Sequence, residues 1–404
     1  MNRKQLLTLL VLVLVIGGAG LLVYKNQLAS RRQGNLSLGQ KLLPKLPAND
    51  VARISIRQGT NEVNLVKKED VWSVRERGDY PADFGEIRGF LLKATDLKIL
   101  EAEPVGSSQL ARFGLDAAKG TNQPVKVELR GSGDKEIAAL MLGKMHMRKP
   151  SRPSPMGEFE DQGWPDGRYV KLGEKNDKVM LISEPLENIE PKPERWLAKD
   201  FFKVEKVKSL AVTHLASTNS WKLVREKENG EWKLADARAD EQLDPAKASS
   251  AGNQLLSPSF VDVVADAKPE SLGLDKPVLL KIETFDDFAY TIKAGVKTND
   301  SYPLTVAVEA NLPAERPAVK DEKPEDKAKK DKEFQDARKK LQEKLANEKK
   351  LEKWTYMVAG WTLDSVLKSR SDLLAEKKKE EETSATTAPA TDEPALPHTA
   401  VPVP

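Results

Sequence analysis

The stretch Arg112-Phe-Gly-Leu-Asp116, RFGLD, returns as Ser271-Leu-Gly-Leu-Asp275, SLGLD, with Gly114 and Gly273 standing 159 positions apart. Each lies at the end of a short segment begun by Ser or Pro, SSQLARFGLD and KPESLGLD. Both segments read as one helical turn stopped by a glycine that takes the left-handed C-terminal position at little cost. The leucines that follow, Leu115 and Leu274, are then expected to tuck inward.

Other landmarks fall into step around this pair, which points to an internal repeat. Trp72 in VWSV has a counterpart in Trp232 of EWKL. Ahead of each Trp lie two short alternating segments that predict strands: Ile54 and Ile56, then Val63 and Leu65; Leu210 and Val212, then Trp221 and Leu223. A helix start follows each Trp. Asp83 can cap a helix presenting Phe84, Ile87, Phe90, Leu91, Ala94 and Leu97, and Asp244-Pro245 is an N-cap with proline in the first turn. Beyond the Gly-Leu-Asp phrases come further strand pairs, VKVELR with IAALMLG and VLLKIETF with AYTIKAG. RYVKL with KVMLIS, and WTYMVAG, predict final strands, each followed by a terminal helix. Each copy thus reads as an α+β unit of about 150 residues, antiparallel sheet plus helices. The first spans 51–203 and the second 204–376.

The second copy carries an insertion over 314–353 with 14 basic and 11 acidic residues. Phe334, Ala337, Leu341 and Leu345 recur there at helical spacing, so the segment reads as a solvated helical arm or as a docking element for a partner helix, as in a coiled coil. From Lys377 the tail turns charged and then rich in Thr, Ala and Pro, a composition that predicts disorder.

At the other end, the uncharged run LLTLLVLVLVIGGAGLLVY from Leu6 to Tyr24 is nearly long enough to cross a hydrocarbon core. A cleaved signal peptide is the competing reading, with Gly17-x-Ala19 as its cleavage site. The apolar run continues through Leu21, Leu22 and Val23, which favours an N-terminal transmembrane anchor over residues 1–24. Residues 25–50 then form a linker, and a short N-terminal tail favours export of everything after the anchor.

Charge and composition exclude several classes. Lys plus Arg total 65 against 62 Asp plus Glu, so no electrostatic argument favours nucleic acid. Cysteine is absent, which removes disulfides, thiolate nucleophiles and Cys-based metal centres.

The arrangement resembles the membrane-anchored bacterial proteins grouped only as a domain of unknown function. Trp72, Pro81-Ala82-Asp83, Phe113-Gly114-Leu115, Leu142-Gly143 and Tyr169-Val170 carry the likeness, echoed by Trp232, Leu272-Gly273-Leu274 and Tyr356. It covers residues 51–375. The resemblance implies a single-pass protein of the inner membrane, largely extracytoplasmic, that partners ABC-type export or gliding-motility-like transport systems. It brings no catalytic residues and no cofactor.

Candidate chemistry is sparse. Of three histidines, His398 lies in the tail, while His214 follows an alternating strand and is expected to be half-buried and hydrogen-bonded. Met145-His146-Met147 offers soft ligands suited to copper(I), though neighbours on a strand point to opposite faces. GSGDKE lacks the third glycine of a dinucleotide site and reads as a hairpin turn. The segment 148–167 reads as a long irregular loop whose Phe159 and Trp164 are candidate binding aromatics. The expectation is a non-enzymatic scaffold or binding protein. The alternatives are an enzyme or carrier acting on envelope polymers between the copies, and soft-metal handling at Met145 to Met147.

Overall fold

The computed structural model describes residues 38–116, 123–148, 163–173, 176–317 and 323–376. The apolar run 6–24, Phe159, His398 and the tail from 377 lie outside the described residues. Among the described residues no helix is long and apolar enough to cross a membrane. The rest of the chain forms two mostly antiparallel sheets with few helices.

The first sheet contains β1 (Val51–Gln58), β2 (Asn61–Lys68), β3 (Val71–Val74), β4 (Tyr80–Pro81), β5 (Ile99–Pro104), β6 (Val125–Gly131), β7 (Glu136–Arg148), β8 (Trp164–Leu172) and β9 (Lys178–Ile182). Its order is β4-β3-β2-β1-β6-β7-β8-β9-β5. The second contains β10 (Val207–Thr213), β11 (Trp221–Val224), β12 (Lys233–Leu234), β13 (Asp262–Val264), β14 (Val278–Thr284), β15 (Phe288–Ala294), β16 (Ser301–Ala310) and β17 (Thr355–Ala359). Its order is β12-β11-β10-β14-β15-β16-β17-β13, which is the first order without β4. Registers agree too: Ile54 faces Leu65 and Leu129, and Leu210 faces Leu223 and Ile282.

Each chain path circles its sheet. Helix α1 (Phe84–Asp96) crosses one face, burying Ile87, Phe90, Leu91 and Ala94, and delivers β5 to the far edge. To reach β6 in the middle, the chain must return over β9, β8 and β7, and it does so on the opposite face. There Val105, Phe113, Leu115 and Val179 form a small separate core with Met141 and Tyr169, while Leu142, Val170 and Met180 face the main core. The Gly-Leu-Asp phrase makes this return. A short 3-10 turn, Ser107–Phe113, ends at Gly114 with φ 66°, and the Leu115 N–H donates to Leu110 O at 3.0 Å. The turn lies so close to β7 that a Cβ on Gly143 would strike the Phe113 carbonyl oxygen. The second sheet repeats the device: Gly273 has φ 67°, Leu274 N–H donates to Pro269 O at 2.8 Å, and Gly295 faces Leu272 O.

The helix starts are fixed alike. The Asp83 carboxylate accepts the Glu86 N–H at 3.1 Å, and Asp244 caps α2 (Pro245–Asn253) through the Ala246 and Lys247 amides. The expected terminal helices are instead 3-10 turns that clasp these caps. Asp83 N–H donates to Trp196 O and Ala198 N–H to Pro81 O; Asp244 N–H donates to Leu373 O and Ala375 N–H to Gln242 O. In the second sheet Arg370, nearly buried, reinforces the clasp by holding Glu241 (2.9 and 2.7 Å) and Asp236 (2.9 and 3.0 Å).

Several expectations need correction. The loop 148–167 is shorter than expected, because Trp164 to Gly167 belong to β8 and pair with Met147, His146 and Arg148. Tyr169 and Tyr356 occupy different strands; by register Tyr169 matches Pro303, and Tyr356 matches Met180. Leu274 is only half-buried; Leu272 and Pro303 stand where the first sheet has Phe113 and Tyr169 of its satellite core. Trp72 is core, but Trp232 is half-buried, flat against Gly252 of α2 and under the Arg225 guanidinium at 4.5 Å. The insertion forms α3 (Pro324–Lys349), whose Leu341 and Leu345 pack on the main core and whose Glu348 is buried, with Phe334 and Arg338 half-buried on the same stripe and Ala337 exposed. That stripe is therefore occupied, and a coiled-coil use of it is not supported. The His214 ring is half-buried, yet its Nε2 has no hydrogen-bond partner.

Gly143→Ala and Gly295→Ala are each expected to lower unfolding free energy by about 2–3 kcal/mol through overpacking, read from urea midpoints. Gly89→Ala, on open helix surface, should instead stabilise by about 0.5–1 kcal/mol. The Arg370 hydrogen bonds, aided by the Arg238 amide, hold Glu241 at a pKa of about 2, below its ordinary 4.5. Stability from that pair is full above the ordinary value and is lost as pH falls toward 2. Glu241→Gln should flatten that acid limb of the melting-temperature profile relative to the parent.

Candidate functional site in the cleft between the sheets

The two sheets share one continuous core. Between them runs the segment Leu197 to Lys206, whose Phe201 and Phe202 pack against aromatics of the second half. Tyr80 on β4 packs edge-on against Phe260 (5.9 Å), Trp354 (5.0 Å) and Tyr356 (6.1 Å), all from the second half. Phe201 lies 5.1 Å from Phe260 and 4.7 Å from Tyr356. Arg77 adds a two-pronged ion pair to Asp262 at 2.7 and 2.8 Å. Burial pushes the Tyr80 phenol up to about 12, so it stays protonated at neutral pH.

Beside this junction opens a cleft of about 800 Å³. Tyr80, Phe201 and Trp354 supply its apolar wall; Lys203, Lys344, Lys350 and Lys353 face Asp200, Glu205 and Glu348 around it. The end of α3 is anchored here by a buried carboxylate. Glu348 accepts the Tyr290 hydroxyl at 2.8 Å, the Lys203 amide at 3.1 Å and the Lys344 ammonium at 2.7 Å. Lys344 also donates to Lys203 O at 2.6 Å. Burial, and then the charge of Glu348, push the Tyr290 phenol well above its ordinary range. These groups are spent on each other, and Glu348 ties the end of α3 to β15 and to the segment between the sheets. What remains is an aromatic wall with both ammonium and carboxylate groups at its rim, suited to a ligand with an apolar body and polar substituents.

Among the described residues, none of the candidate binding or metal residues read from sequence lines this cleft. Trp164 opens β8 and is half exposed. Met145, His146 and Met147 lie on β7, and His146 Nδ1 is 2.6 Å from Asp166 Oδ1, which commits that nitrogen to a carboxylate. The repeat markers Trp72, Gly114, Leu115, Tyr169, Trp232, Gly273, Leu274 and Tyr356 serve packing, Tyr356 at the junction itself. A signal for the cleft did exist. Phe201-Phe202 between the copies and Trp354-Thr-Tyr356 after the insertion are aromatic pairs at a boundary where a solvated linker would carry none.

Glu348→Ala should strand the Tyr290 hydroxyl and Lys344 ammonium, at a cost of about 3 kcal/mol. The expected readout is a lower denaturant midpoint together with lost hydrogen-exchange protection over residues 340–354.

Residues 162–277 match the family model described as Domain of unknown function (DUF4340). A domain of that family is therefore present from β8 through the junction to the second Gly-Leu-Asp phrase. No curated protein and no solved structure matches the chain.

Proposed function

We propose that this chain is a membrane-anchored, extracytoplasmic scaffold or binding protein, made of two copies of one folding unit and serving as an accessory part of an ABC-type transport complex. The observation that carries the binding role is the shared core at the junction, which sets the two sheets at a fixed spacing and makes one rigid platform of them. Rigid presentation of separate surfaces is what a scaffold needs and a floppy tandem lacks. The saturated hydrogen bonding around Glu348 supports binding over proton transfer at the cleft. Duplication is supported by the matching strand orders, Gly143 and Gly295 under their turns and the two clasped Asp caps. Anchoring is supported by the run 6–24.

The second reading, an envelope-polymer enzyme or carrier, is favoured by Asp200 and Glu205 on the cleft wall. Asp200→Asn combined with Glu205→Gln separates the two, since a scaffold retains its partner in that variant.

The full chain should sediment with membranes and be cut by protease added from the extracytoplasmic side. After cross-linking and detergent solubilisation, a transporter subunit should co-purify with it. Recovery of the chain from the cytosolic fraction, or repeated cross-linked pull-downs without any transporter subunit, overturns the proposal.

A further inference from the structure

The rim of the cleft is exposed and mixed in sign. Asp200, Lys203 and Glu205 come from the segment between the sheets, and Asn347, Lys350 and Lys353 from the end of α3 and the turn after it. Lys344 and Glu348 of the same wall are tied to each other at 2.7 Å. The rim groups are freer. Among the described residues the carboxylates of Asp200 and Glu205 and the Lys203 ammonium make no hydrogen bond or ion pair, and the Lys353 ammonium lies over the Trp354 ring at 5.1 Å. Asn347 accepts Lys350 at 2.9 Å through its side-chain oxygen, which leaves its amide N–H groups to donate.

Inside the rim the wall is aromatic. Phe201 and Trp354 line the cleft half-buried, and Tyr80, 3% exposed, packs edge-on against Trp354 at 5.0 Å. A cleft of about 800 Å³ has room for more than one ring on that wall.

This combination separates ligand classes. An organic anion laid on the aromatic wall meets Asp200 and Glu205, and an organic cation meets Lys203, Lys350 and Lys353. A pure hydrocarbon strips water from all of them and replaces none of its hydrogen bonds. A zwitterion needs the two signs gathered at separate ends, whereas acid and base alternate along the segment itself, Asp200, Lys203, Glu205. A neutral ring with an apolar face and an edge of hydroxyls meets every demand. Each hydroxyl both donates and accepts, so it can answer a carboxylate, an ammonium or an amide alike. The C–H face of such a ring suits an aromatic surface that stays partly open.

We infer that the cleft between the sheets binds a neutral saccharide, with the sugar face on Phe201 and Trp354 and its hydroxyls on Asp200, Glu205, Lys203 and Asn347. This assignment rests on the proposed binding role of the chain, and a saccharide held there is bound intact.

The full chain, reconstituted in phospholipid nanodiscs, is offered chitotriose, cellotriose and maltotriose in turn, and saturation-transfer NMR is read on the sugar protons. The expected result is transfer to at least one of the three. Asp200→Ala with Glu205→Ala should lower it several-fold, and Asn347→Trp should abolish it by filling the cleft. All three positions are exposed, and an unchanged melting temperature certifies the fold of both variants. No transfer to any of the three saccharides, or transfer that both variants leave intact, overturns the assignment. Transfer to phenyl phosphate, benzyltrimethylammonium or phenylalanine in place of the saccharides overturns it in favour of a charged ligand. Shorter saccharides found by mass spectrometry after incubation overturn the binding role beneath it. Cross-linked pull-downs without a transporter subunit, beside transfer that Asn347→Trp abolishes, overturn the transport role and leave the saccharide site standing.

Discussion

The fold hangs on a close approach between a turn and a strand: a carbonyl oxygen rests where the side chain of a β-strand residue would begin. An edge strand delivered by a helix across one face can be followed by a central strand only if the chain returns across the other face. That return must lie flat to bury its own apolar groups, and flatness is limited by the side chains of the strands beneath. Glycine at 143 and 295 removes the obstruction at the crossing, and Gly114 and Gly273 supply the left-handed residue that lets the turn end there. Two glycines per sheet, one in the turn and one under it, are thus coupled by geometry. Only the first sheet adds Phe113 and Tyr169, 4.9 Å apart, to seal the crossing with its own small core.

A second constraint acts between the sheets. Apolar side chains from both sides merge at Tyr80, Phe201, Phe260 and Tyr356, so neither half could be withdrawn without opening a large cavity. Arg77 and Asp262 fix the orientation more than they add stability, because both are partly solvated. The end of α3 closes one side of the junction through Glu348, a buried carboxylate tolerable only because three donors surround it. The charged insertion looks like surface from its composition, yet its last turns are part of the wall of the cleft.

The strands and both helix caps were legible because they depend on local pattern: alternation at Ile54 and Ile56, and Asp ahead of α1 and α2. The Gly-Leu-Asp turns were legible as turns, but their purpose was not, since it depends on Gly143 and Gly295 more than 20 residues further on. β5 and β13 escaped notice because ILEAEP and DVV are short and poor in alternation. The terminal helices expected after KVMLIS and WTYMVAG, at Pro185-Leu186 and Thr362-Leu363, do not form; the chain beyond those strands makes only the short 3-10 turns Pro193–Trp196, Gly360–Thr362 and Arg370–Leu373, two of which close on the helix caps. The cleft was hidden for a different reason. Its residues come from β4, the segment between the sheets and α3, and only packing brings them together.

Where two sheets wound on one plan differ, the plan itself does not require the difference. Strand order, turn glycines and clasped caps recur, so they answer to folding. The long β7–β8 hairpin and the helix between β16 and β17 do not recur, and both interrupt connections that the other sheet makes briefly. Exposed Trp and Met at a hairpin end raise the risk of aggregation without helping the core. A long charged helix that buries only one stripe contributes little stability for its length. The surfaces unique to each half are thus departures from the shared folding plan rather than requirements of it.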